Sequence, residues 1–190
     1  MKFYRLINKE MPWGDYGDIL LTGMTAHLDR QDGLLQLERT APFMPPMIIS
    51  SIADLLVDDT TKSKIEQLGF KGFEFMPVIK RHISLVDWTT WDINAEAPNF
   101  YPDNGEPENY ILGLPHSQTL ADKMENIWEV VCKVNGTFTD SRTFIRGDLD
   151  LDIMRTENSG WFIISETAKN WIEKNISDYI DCADLTLQPY

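Results

Sequence analysis

Carboxylates are the residues in this chain whose spacing could do chemistry. The densest run is Gly147-Asp148-Leu149-Asp150-Leu151-Asp152-Ile153, in which acids alternate with apolar residues. An extended segment with that period puts Asp148, Asp150 and Asp152 on one face and the apolar side chains on the other. Such a face suits a basic partner, a metal ion, or acid–base work on a sugar. The calcium-loop reading fails, because Ile153 stands where the turn glycine is required and Ser159 where the bidentate acid belongs. An acid and a base need different environments, and this pattern shows no sign of two. A solvated strand face and a recognition face for basic groups are the two leading readings.

The second cluster is aromatic. Trp88, Trp91, Phe100 and Tyr101 surround a loop rich in proline and glycine, among Asp87, Asp92, Glu96, Asp103, Glu106 and Glu108. Aromatic anchors inside an acidic rim are what a hot spot for a basic surface needs, and Asp103 and Glu106 are the candidate acids of that rim. Burial in the core is the competing role for Trp88 and Trp91, and the expected one for Trp128, Trp161 and Trp171. His27, His82 and His116 are scattered, with no second ligand at helical spacing, and predict no zinc site. There is no G-x-S-x-G elbow, phosphate loop or dinucleotide fingerprint.

The 190 residues carry a net charge of −13, which opposes direct contact with nucleic-acid phosphates and favours a basic partner. The same balance also serves solubility alone. Cys132 and Cys182 lie in apolar stretches without metal-type spacing, as small hydrophobes of a reducing compartment. The first ten residues have charge at both ends and no long apolar core, and no apolar run reaches membrane-spanning length, so a cytoplasmic protein with no membrane is expected.

The elements that must position these groups are read from period and punctuation. Strands are expected at Phe3–Ile7, Ile19–Thr22, Leu34–Leu37, Met47–Ile49, Phe73–Pro77, Tyr110–Leu114, Val130–Val134, Thr143–Arg146, Trp161–Ile164 and Leu185–Leu187. Helices are expected from Ser51 to Val57, from Asp59 to Leu68, over Leu120–Trp128, and after Ser165, whose hydroxyl can take a free helix N–H. Asn135-Gly136 is the strongest hairpin signal. The segment 48–53 resembles 163–168, each with two isoleucines, a serine and a helix to follow. A competing register lays Asp58–Lys62 over Ser165–Lys169 and Ile65-Glu66 over Ile172-Glu173.

The fold expected is α+β: a mixed, mainly antiparallel sheet with a few packed helices, as one domain over 1–190. Two related strand–helix–strand lobes, 1–94 and 109–190 joined by the acidic Pro-rich loop, are the finer division. Met1–Leu6, Ile48-Ile49-Ser50, Phe73–Val78, Phe144–Gly147 and Phe162–Glu166 resemble an immunity-protein family of bacterial polymorphic toxin systems. That resemblance implies a cytoplasmic protein that binds and neutralises a cognate toxin domain, without catalysis and without a cofactor. With the charge, it suggests a basic toxin surface such as a nuclease cleft. Asp148, Asp150, Asp152, Trp88, Trp91, Phe100, Tyr101, Asp103 and Glu106 are the candidate partner-binding residues. The alternative function is a small carboxylate-dependent hydrolase or carbohydrate-active enzyme using Asp148–Asp152.

Overall fold

A computed structural model describes residues 2–25, 29–50, 54–140, 142–147 and 149–187. In chain order the elements are β1 (Phe3–Asn8), α1 (Asp15–Thr22), β2 (Gln36–Ala41), β3 (Met47–Ile49), β4 (Leu55–Asp58), α2 (Asp59–Leu68), β5 (Phe73–Pro77) and β6 (Ile79–Leu85). A 3₁₀ turn at Trp88–Thr90 follows, then α3 (Asn109–Leu112), α4 (Gln118–Lys123), β7 (Ile127–Cys132), β8 (Thr137–Phe138), β9 (Thr143–Ile145), β10 (Ile153–Arg155), β11 (Phe162–Ser165), α5 (Glu166–Asn175), β12 (Ile180–Asp184) and β13 (Thr186–Leu187). The fold is α+β with mainly antiparallel pairing, as expected. Two four-stranded sheets have the orders β10-β11-β1-β12 and β3-β4-β7-β5; β2 and β6 pair in parallel, and β13, β9 and β8 form a three-stranded sheet.

The chain divides into two compact units, one of Met1–Lys9, Thr60–Phe75 and Val130–Tyr190, the other of Glu10–Asp59 and Met76–Glu129. The core of the first gathers Phe3, Phe138, Phe144, Leu151, Met154 and Ile163, with Trp161 and Leu185 packed against it. The second buries Leu35, Leu37, Ile48, Leu56, Val78 and Ile127, with a smaller cluster of Ala41, Ile83 and Ala121. The Pro-rich loop 95–107 lies inside the second unit.

An internal repeat is the main organising feature. Residues 55–77 and 162–184 share one plan without a gap: four residues of strand, ten of helix, a connection of four, and five of strand. This is the register that aligns Asp58-Asp59 with Ser165-Glu166. Thr61 and Ile65 are buried on α2, and Ala168 and Ile172 occupy the same positions on α5. The i,i+4 ion pairs Lys62–Glu66 (2.7 Å) and Lys169–Glu173 (2.6 Å) are equivalent as well. The Ile48–Ser50 register loses its helix, since Ser50 closes a hairpin: its hydroxyl accepts the Asp54 N–H (3.1 Å) and its amide donates to Asp54 O (2.8 Å).

The repeat also explains the central strands. β1 pairs with β11 through Arg5↔Ile163, Tyr4↔Ile164 and Phe3↔Ser165, and β7 pairs with β4 through Glu129↔Leu56, Trp128↔Val57 and Ile127↔Asp58. These registers superpose residue for residue, so six-residue β1 and six-residue β7 are counterparts. Each lies in the sheet of the other repeat: β1, at the start of the chain, joins β11 and β12, while β7, following the first repeat, joins β4 and β5. The copies differ in chemistry at equivalent positions. Glu129 holds Arg30 through two bonds of 2.7 and 2.8 Å, whereas Arg5 stacks on Trp161 at 3.4 Å.

Several local expectations are corrected. Ile19–Thr22 belongs to helix α1, with Gly17, Leu20 and Leu21 buried at helical spacing, and the first three residues of Tyr110–Leu114 belong to helix α3, which buries Tyr110 and Ile111. Both are short apolar runs in which period two and period 3.6 cannot be told apart. Ser51–Ala53 lie outside the described residues, and the rest of the expected helix there is strand β4, whose Leu55, Leu56 and Val57 are all buried. The helix expected to Trp128 stops at Lys123, and Trp128 sits in β7. β2 runs on through Glu38 and Arg39, which are buried. Arg39 donates to the carbonyls of Thr40 (3.0 Å) and Phe43 (2.9 Å), and burial pulls its guanidinium down to about 9. Asn135-Gly136 does not join β7 to β8; β8 pairs with β9, and Asn135 Nδ2 donates to Leu149 O (3.1 Å).

The equivalence of the repeats is testable in stability. Ile65 and Ile172 are each 1% exposed at the same helical position. Ile65→Ala and Ile172→Ala should each cost about 2–5 kcal/mol in urea unfolding. A cost below about 1 kcal/mol for either would show that its helix is not seated as its counterpart is.

Candidate functional site

Among the described residues of the acidic run, Asp150 and Asp152 do not share the expected solvated face. Asp148 lies outside the described residues, and β10 begins only at Ile153. Asp150 is exposed and pairs with Arg146 at 2.8 Å. Asp152 is turned to structural use. One of its carboxylate oxygens accepts the Lys71 N–H (3.1 Å), the other accepts the Ser165 hydroxyl (2.9 Å), and its own N–H donates to Lys71 O (2.9 Å). Ser165 Oγ in turn accepts the Ala168 N–H (3.2 Å), so Asp152 anchors the cap of α5. Period-two alternation failed here because these backbone partners, distant in sequence, take the carboxylate out of the solvated row.

The aromatic cluster is brought together, and more of it than sequence reasoning found. Trp13, Tyr16, Trp91, Phe100, Tyr101 and Tyr110 form one connected set in the second unit. Trp91 meets Trp13 at 5.5 Å, Phe100 at 4.7 Å and Tyr110 at 5.9 Å between centroids; Tyr16 meets Tyr101 at 5.0 Å and Tyr110 at 6.0 Å. Hydroxyls and indole tie the rings to the loop: Tyr110 donates to Phe100 O, Tyr16 to Gly105 O, and Trp13 Nε1 to Asp92 O at 3.2 Å. Burial, helped by Tyr16 and Tyr101, pushes the Tyr110 hydroxyl up to about 12. The loop is further held by Gly105, at φ 77°, whose N–H donates to Pro102 O (2.9 Å), and by Asn104 Oδ1, which accepts from Asn109 Nδ2 (2.7 Å).

Within this set the candidates separate. Trp91 is 9% exposed and Trp88, edge-on to Phe43 at 5.4 Å, is 6% exposed, so both have their rings in the interior. Phe100 and Tyr101 are 52% exposed, and with Pro102, Asp103, Tyr110 and Leu114 they line an open groove of about 320 Å³. Asp103 and Glu106 are exposed at its loop. Tyr16 and Tyr110 had no local signal: one follows a turn-rich stretch, and the other was expected in a strand. A charge signal was present. Between Arg81 and Lys123 there is no lysine or arginine, against seven acids: Asp87, Asp92, Glu96, Asp103, Glu106, Glu108 and Asp122.

His82 and His116 sit 5.7 Å apart, centroid to centroid. His116 Nδ1 accepts the Ile83 N–H (2.9 Å), which leaves Nε2 to carry the proton facing Gln118 Oε1 (3.2 Å). His27 lies outside the described residues. Among the described residues no three His, Cys, Asp or Glu side chains gather as a metal-binding group, and no helix is long and apolar enough to cross a membrane. Both cysteines are half-buried, and burial pushes the Cys182 thiol up to about 11. No family model matches the chain, and no curated protein matches it.

The two acids of the run should behave differently on substitution. Asp152→Asn cannot accept with both side-chain atoms and should lose about 1–3 kcal/mol in chemical unfolding. Asp150→Asn, on the surface, should stay within about 0.5 kcal/mol of the parent. Equal effects would remove Asp152 from its anchoring role.

Proposed function

We propose that this chain is a cytoplasmic immunity protein that neutralises a cognate toxin by covering a basic surface on it. The observation that carries the reading is the groove: half-exposed Phe100 and Tyr101, held from behind by Trp91, Tyr16 and Tyr110, inside a sequence stretch that has seven acids and no lysine or arginine. Rigid aromatic anchors with a like-charged surround are what tight association with an opposite charge requires. The sequence resemblance supplies the biological setting, and the charge makes a nuclease cleft a fitting target. The interface residues under this reading are Phe100, Tyr101, Asp103 and Glu106.

The carboxylate-enzyme alternative gains no support from the run that suggested it. Asp150 is in an ion pair, and both carboxylate oxygens of Asp152 accept internal hydrogen bonds.

Co-expression with the protein encoded beside this one tests the reading. The neighbour should arrest growth alone, be harmless together, and purify as a complex. In that complex Asp103→Lys combined with Glu106→Lys should slow association at least about tenfold at low salt, with less effect at high salt. A harmless neighbour with no complex would overturn the proposal.

A further inference from the structure

We infer that the groove between residues 100–104 and α3 is a receptor for a single arginine side chain. The inference rests on reading the chain as a binder of basic protein surfaces, and it names the group that the groove takes. Three observations lead to it. First, the space is about 320 Å³ and open, at the small end of ligand sites and suited to one long side chain presented by a larger body. Second, its walls offer aromatic surface that is exposed and already fixed. Phe100 is pinned against Trp91 at 4.7 Å and Tyr110 at 5.8 Å, and Tyr101 against Tyr16 at 5.0 Å, so little side-chain freedom is lost on binding. Third, the charged group lining the groove is the carboxylate of Asp103, which makes no ion pair or hydrogen bond among the described residues.

These features select the guanidinium over other occupants. An anion meets Asp103 and the surrounding acids. A neutral apolar side chain would leave Asp103 desolvated without a partner. An ammonium is compact and strongly hydrated, and gains less from ring faces than a planar, weakly hydrated guanidinium, which can stack on an aromatic ring and still donate in its plane to a carboxylate. Asn104 Oδ1 is already engaged by Asn109 Nδ2 and by the Glu106 N–H (3.3 Å), which fixes the loop that carries Asp103. Tyr110 has no proton to offer an anion from within the wall, because its hydroxyl already donates to Phe100 O.

The experiment uses the chain alone. N-acetyl-arginine amide, N-acetyl-lysine amide and N-acetyl-citrulline amide are titrated at low salt while the amide resonances of Tyr101, Asp103, Asn109 and Leu114 are followed by NMR. The arginine compound should give saturable shifts at these positions, and citrulline, which keeps the shape and loses the charge, should bind at least about fivefold more weakly. Asp103→Asn, an exposed substitution, should weaken arginine by a similar factor while leaving the rest of the spectrum in place. No saturable shift, equal binding of citrulline, or lysine binding as well as arginine would each overturn the inference. The outcome is independent of co-expression. A groove that takes arginine beside a harmless neighbour leaves the receptor standing and removes the toxin, whereas a rescued neighbour with no arginine shift does the reverse.

Discussion

A strand in the middle of a sheet must satisfy backbone donors and acceptors on both sides, and β1 meets that demand with partners from the far end of the chain. Its residues pair antiparallel with β11 on one side and β12 on the other, and Phe3 and Leu6 are buried there. No neighbour in sequence can take either place. β7 is in the same position relative to the first repeat, with β4 and β5 at its sides. The loops closed in this way are long, yet closure entropy grows only slowly with length, so the cost falls more on folding rate than on stability. The consequence is an obligate coupling: neither half of the sequence can complete a four-stranded sheet without the central strand that the other half supplies.

This exchange divides the chain into what it needs and what it does not. Residues 3–8, 55–77, 127–132 and 162–184 are accounted for by the duplicated plan. The stretch from Val78 to Asn126 lies outside those segments, and it holds β6, the 3₁₀ turn, α3, α4 and the whole Pro-rich loop. It also holds five of the residues around the groove that matter most to its chemistry, Trp91, Phe100, Tyr101, Asp103 and Tyr110. Within it, β6 is tied to β2 and to the core, whereas the Pro-rich loop 95–107 holds no strand, and exposed loops on a fixed framework are where recognition is usually placed. The absence of lysine and arginine across 82–122 then has a positional meaning that an average over the chain conceals.

What was legible in the sequence was whatever carried a local cause. β1 stood out as a β-rich run, and β5 and the unit from Phe162 to Asn175 because their runs end at a proline or at a capping serine; the Ser165 hydroxyl does accept the Ala168 N–H. Ser50 gave the same local signal and misled, because its hydroxyl serves a hairpin turn together with Thr25 and Asp54. The correct register had weaker punctuation and stronger spacing: Ile65 with Ile172, and Lys62–Glu66 with Lys169–Glu173. β2 was cut short in sequence by Glu38 and Arg39, whose burial no periodicity implies. At the groove, Phe100, Tyr101, Asp103 and Glu106 were visible as composition, but Tyr16, the ring that braces Tyr101, comes from more than eighty residues earlier, and Trp13 packs behind Trp91 from the same distant segment.

The separation of braced aromatics from exposed acids also separates two physical tasks. Exposed carboxylates act through solvent over about 10 Å at ordinary ionic strength, which is enough to bias the approach of a basic surface but adds little once contact is made. Rings that are already packed against other rings lose little freedom on burial, and the area they exclude from water governs how long a complex lasts. Asp103 is the residue placed to take part in both, since it belongs to the acidic stretch and also lines the groove. Glu106, exposed on the same loop but outside the groove lining, is confined to the first task. Removing charge from the rim should therefore alter arrival, removing ring surface should alter departure, and Asp103 is where the two effects meet in one side chain.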